Sequence, residues 1–124
     1  PTGESQAQGE VLITVASQPV NVTVNQGQTA AFTVVATTTP SGNTINYQWQ
    51  KKDYGTDTWI NIDGATSSVY TTPVTTQGDG GDEYRVGLTS TGATPTLSNA
   101  ATLTINIGAT TVDNFTPDQI FDDN

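Results

Sequence analysis

The chain of 124 residues has no cysteine, no histidine and no methionine. Without cysteine there is no disulfide, no thiolate metal site and no thiol nucleophile. Without histidine the commonest general base and metal ligand is missing too. Cations are scarce: Lys51, Lys52 and Arg85 stand against twelve acidic residues, for a net charge of −9. Nucleic acid and anionic membrane surfaces both require clustered Lys and Arg, so neither is an expected partner. No apolar run approaches the roughly 20 residues of a membrane span, and no signal-peptide pattern is present, so membrane insertion is not expected. The lack of methionine, with Pro1 first, reads as a processed chain or an excised piece.

What remains is rich in Thr and Val, which suit a pleated, half-buried surface. Apolar residues alternate in short runs, and no long stretch has helical periodicity. Residues 11–15 read as a strand, and 20–24 as an edge strand beside Pro19. In 29–37, Ala30, Phe32, Val34 and Ala36 share a face; Ile45, Tyr47 and Trp49 share one in the next run. Short strands follow at 59–62 and 67–72. The run 83–90 turns Tyr84, Val86 and Leu88 inward, and 99–107 turns Ala101, Leu103, Ile105 and Ile107 inward. Gly, Asn, Asp and Pro punctuate at 25–28, 40–43, 53–58, 77–82 and 91–96. Many short strands with regular turn signals predict an all-β, two-sheet antiparallel β-sandwich, held by packing without a disulfide. Three segments follow. Residues 1–17 are an N-terminal lead, either a linker or the last strand of a preceding similar domain. Residues 18–107 are the sandwich. Residues 108–124 are an acidic extension carrying Asp113, Asp118, Asp122 and Asp123 with Phe115, Ile120 and Phe121.

Five pieces in order carry a family resemblance. Gln18-Pro19 with Gly27-Gln28-Thr29-Ala30 resembles the opening strands of an intermediate-set immunoglobulin domain. Tyr47-Gln48-Trp49-Gln50-Lys51 resembles the strand that bears its core tryptophan. Residues 59–66 followed by Tyr70, then Tyr84-Arg85-Val86, then residues 98–105, resemble the later strands, including the tyrosine-corner strand. The cysteine-free version of bacterial surface proteins and tailed-phage virion proteins looks nearest. The resemblance implies that Val34 and Val86 stand where the two cysteines would be, facing each other across the sheets. The acidic residue that often sits four before the corner tyrosine is Gly80 here, with Asp79 and Asp82 on either side. That puts the ion pair usual at this end of the sandwich in doubt.

Chemistry-bearing residues are few. Asp79, Asp82 and Glu83 could offer oxygen ligands to calcium, but their glycine-rich setting reads as a plain turn, and no metal or cofactor is expected. Lys51, Lys52 and Arg85 read as solvated strand ends. Trp59 either packs under a neighbouring loop or offers a stacking face. Asn21-Val22-Thr23 and Asn114-Phe115-Thr116 fit the glycosylation pattern. No catalytic residue is assigned. The resemblance implies a non-catalytic display module on a virion surface, as a capsid decoration or an appended capsid or tail domain. Its partners would be other subunits of a larger assembly and host-surface glycans or proteins, bound weakly and in many copies. The rival expectations are a passive spacer repeat of a bacterial cell-surface or extracellular adhesin, and an accessory domain of a carbohydrate-active enzyme.

Overall fold

In the computed structural model the described residues are 10–107. Residues 1–9 of the lead and the extension at 108–124, with Asn114, lie outside them. Ten strands follow in order: β1 (Leu12–Ser17), β2 (Val22–Asn25), β3 (Ala31–Thr33), β4 (Val35–Thr39), β5 (Asn46–Lys52), β6 (Ile60–Asn61), β7 (Val69–Thr71), β8 (Glu83–Thr89), β9 (Thr96–Leu97) and β10 (Ala101–Asn106). A 3-10 turn, Gln77–Asp79, precedes β8.

One layer pairs β1 with β4 and β3 with β7. The strands β3 and β4 are one line interrupted at Val34, whose N–H donates to Ser68 O at 3.0 Å. The other layer runs β2-β10-β8-β5-β6, with β9 also on β8. All pairs between named strands are antiparallel except β2–β10, which is parallel. The chain reaches that second layer by crossing after β1, where Pro19 is buried. A proline that donates no ladder bond suits a crossing between sheets. The parallel pair holds a single register, Val22 opposite Leu103 through Asn25 opposite Asn106. Side-chain amides extend it beyond the backbone ladder: Asn99 N–H donates to Gln18 Oε1, and Thr102 N–H donates to Asn21 Oδ1, both at 2.8 Å.

The first strand belongs to this sandwich, so the domain starts before residue 18. β1 is registered with β4 from Leu12–Thr39 to Ser17–Val35, and Ile13 and Val15 pack on the core. An alternating strand with a buried face stays with the core it completes. This replaces the reading of 11–17 as a linker or as the last strand of a neighbouring repeat.

Between the layers lie Ala30, Phe32, Val34, Trp49, Ala65, Tyr84, Val86, Leu88, Ala101 and Leu103. Val34 and Val86 are both buried in this cluster, from opposite layers. Ile105 is only partly buried and Ile107 is exposed, because β10 runs off the end of the core. The last strand is also split. Ser98 interrupts it between β9 and β10, with its hydroxyl accepting from Val86 N–H at 2.9 Å and donating to Asn99 O. Trp49 is fully buried, and its indole N–H donates to Ser67 O at 2.7 Å, so its polar atom is satisfied. From it a row of rings runs through the core: Tyr70 at 6.3 Å, then Tyr84 at 5.6 Å, then Phe32 at 4.7 Å.

Candidate functional site

Antiparallel pairing of β5 with β8, Asn46 opposite Thr89 and Lys52 opposite Glu83, sorts the loops between two ends. Residues 40–45 and 90–95 meet at one end, the upper pole. There Ser90 Oγ donates to Thr44 O at 2.7 Å, and Val11 bridges Ala93. Residues 25–28, 53–58 and 75–82 meet at the lower pole. Gly27 N–H donates to Thr75 O and Tyr54 N–H donates to Asp82 Oδ1, both at 2.9 Å. The five loop signals in the sequence therefore form two separate surfaces.

Charge divides the same way. No residue from 11 to 50 is charged, and none from 86 to 107, so every charged side chain among the described residues except Glu10 falls between Lys51 and Arg85. The centre of the lower pole is Asp82, whose side chain is 4% exposed. It sits 3.4 Å from Lys51 Nζ and accepts the Tyr54 N–H, so this buried carboxylate is both paired and hydrogen-bonded. Lys51 also reaches Asp53 at 3.3 Å. Burial works against its charge, but the two carboxylates outweigh that and raise its pKa above the ordinary lysine value. Gly80 offers no acid for the usual ion pair, but an ion pair stands at this end all the same, made by Asp82 and Lys51.

The other two acids have other partners. Asp79 Oδ2 accepts from Thr76 N–H at 2.8 Å and closes the 3-10 turn. Glu83 pairs with Lys52 at 3.3 Å. Among the described residues no group of three or more acids, histidines or cysteines is gathered as a metal site. The cations are not solvated strand ends either. Besides the two paired lysines, Arg85 lays its guanidinium 4.2 Å over the Trp59 ring and donates from Nε to Gln50 Oε1 at 2.7 Å. Gln50 passes the contact on to Asn61 Oδ1 at 2.9 Å. Trp59 is half-buried, with one face covered by Arg85. Asn21, in the glycosylation pattern, is exposed but commits its carbonyl oxygen to Thr102 N–H.

A sizeable hollow lies in the lower half, between β5, β7 and the 3-10 turn. It measures about 410 Å3, and its walls include Lys51, Tyr70, Val74, Thr76, Asp79 and Tyr84. Burial raises the phenol pKa of Tyr84 far above its ordinary value, with Tyr70 and nearby carboxylates adding to it. Burial raises Tyr70 as well, against the pull of Lys51. Sequence reasoning missed this hollow, since its walls come from four stretches of chain that only the fold brings together.

No protein-family profile and no curated protein sequence matches the chain. Solved structures do. The chain is similar to titin domain M7, with 20% identity over 77% of this chain and 94% of that one, at a TM-score of 0.53. It is similar to the N-terminal Ig1-2 module of the Drosophila receptor protein tyrosine phosphatase DLAR, with 24% identity over 81% of this chain and 52% of that one, at a TM-score of 0.54. It is also similar to the two-domain DIP-gamma IG1+IG2, with 13% identity over 75% of this chain and 47% of that one, at a TM-score of 0.54. The chain thus spans about half the length of the two-domain structures that it resembles. At these identities the likeness shows the fold alone: the chain has an immunoglobulin-like β-sandwich, built without cysteine.

Proposed function

We propose that this domain is a non-catalytic display module on the outside of a larger assembly, a tailed-phage virion surface being the best-fitting setting. Each copy makes a weak contact with host-surface glycans or proteins through its end loops, and many copies together make attachment useful. The observation that carries this reading is the chemistry of those loops. The upper pole offers Ser, Thr, Asn, Gly and Pro at 40–45 and 90–95, with no aromatic ring and no charge. The lower pole offers one aromatic ring, Tyr54, which is 76% exposed. Such surfaces hydrogen-bond readily but lack the buried aromatic or arginine anchors that make single contacts tight. Multivalency converts such contacts into avidity, because the second engagement is intramolecular.

The test compares one copy with many. The domain is displayed on a multimeric scaffold and measured, alongside the monomer, for retention on host cells. The array should bind measurably and the monomer at most weakly, with no turnover of glycan by either. Tight binding by the monomer, or turnover, overturns the reading; indifference of both forms leaves a passive spacer as the better description.

A further inference from the structure

We infer that the hollow between β5, β7 and the 3-10 turn is a binding subsite for a neutral sugar residue. This goes beyond the display reading, which places contacts in the end loops and assigns no ligand site. The first observation is Tyr84. It is only 3% exposed, it lines the hollow, and none of the described residues makes a hydrogen bond with its hydroxyl. A buried phenol normally has a partner, and one at the wall of a hollow takes it from whatever occupies the hollow. A ligand hydroxyl in the hollow supplies that partner.

The second observation is the character of the walls. Tyr70 presents an aromatic ring and a second phenol, while Ile62, Pro73 and Val74 are apolar. Thr76, Asp79 and Lys51 add polar atoms around the rim. An apolar wall with a few convergent polar groups is the usual make-up of a small-molecule site, and about 410 Å3 lies within the roughly 300–1,000 Å3 such sites occupy. A pyranose has the matching duality: a C–H face for the ring and hydroxyls for the polar groups.

The charges select a neutral ligand. Lys51 is already shared between Asp53 and Asp82, and Asp79 adds a further negative charge, so an anion meets net repulsion. The carboxylates are also engaged. Asp79 Oδ2 holds Thr76, and Asp82 holds Tyr54 N–H and Lys51, which leaves a cation no ready ligand set.

The experiment titrates the isotope-labelled chain with glucose, galactose, mannose and N-acetylglucosamine, each to about 50 mM, and follows amide shifts, a range suited to millimolar affinity. At least one sugar should shift the amides of Lys51, Tyr70, Thr76 and Asp79. Tyr84→Phe keeps the ring and removes only the hydroxyl, so it should melt no lower than the parent at neutral pH and bind about fivefold more weakly or worse. Val74→Trp, at an exposed rim position, should block the hollow without touching the core. It carries the test if Tyr84→Phe does not fold. The inference is overturned if none of the four sugars moves those amides, if calcium moves them instead, or if the variants titrate like the parent. Because this readout uses the monomer and free sugars, its failure is distinguishable from failure of the multi-copy attachment reading.

Discussion

Below the level of Trp49 the two layers are joined by stacked rings, while an ion pair within one layer, Lys51 with Asp82, reaches into the interior. Above it they are joined by Leu88, Val15, Ala36 and Ile45, with hydroxyls closing the end. The same two layers run through both halves, yet the halves use different chemistry. The cause is visible along the chain. β1 to β4 carry no charge, so what they pair with at the upper pole is neutral; the reversals at 53–58 and 77–82 bring charge to the lower pole. The lower half should therefore respond to pH and to single polar substitutions, and the upper half only to changes in volume.

The largest expected effect compares the packing of the halves. Trp49→Ala removes the head of the ring row and should cost about 3–5 kcal/mol, while Leu88→Ala, in the upper half, should cost about 2–5 kcal/mol. Urea unfolding measures both. If Trp49→Ala were nearly neutral, the aromatic row would not be holding the layers together.

The next sharpens the electrostatic contrast. Lys51→Met leaves the buried Asp82 carboxylate without its cation. The loss should be about 2–3 kcal/mol, below the usual cost of breaking a buried pair because the Lys51 side chain is 33% exposed. The same half should weaken in alkali. Lys51 is raised in the fold above its ordinary 10.5, so its contribution is complete below that pH and disappears as pH rises through the folded value. Tyr70 and Tyr84 are raised above 10.0, so the unfolded chain ionises first and the fold loses stability from about pH 10 upward. Unfolding midpoints measured upward from pH 8 should fall beyond pH 10, and Tyr84→Phe should shrink the fall. A flat profile would refute the contrast.

The smallest effect compares one turn from each pole. Gly81, at the lower pole, has φ +89°, and a Cβ there would meet the Tyr54 ring at 2.5 Å. Gly42, at the upper pole, has φ +92° with nothing within 4 Å. Gly42→Ala should cost about 1 kcal/mol from the backbone alone. Gly81→Ala should cost the same plus whatever displaces Tyr54. Thermal melts that rank them the other way would show that Tyr54 yields freely.

How far the sequence exposes this molecule depends on range. Alternation places Phe32, Val34, Trp49, Tyr84, Val86 and Leu88 inside, because a period of two with one buried face leaves no other register. It does not choose partners, so the parallel pairing of β2 with β10 is invisible, and β1 looks detachable. An acid in a glycine-rich turn reads as solvated. Asp82 is buried because the reversal at 53–54 closes over it, a meeting of segments 28 residues apart. The hollow is less legible still, since Lys51, Tyr70 and Asp79 have no common spacing. Ser98 breaks the last strand through a hydroxyl that any alternation count treats as an ordinary outward or inward position.

The single register of β2 against β10 has a mechanical consequence. Both strands run from the upper pole to the lower, the described chain begins near the upper pole beside Ala93, and β10 ends at the lower pole. A pull that separates those two points drags β2 and β10 past each other along their length. The ladder bonds, and the amide rungs from Gln18 and Asn21, then carry load side by side, so several must rupture together before the sandwich can extend.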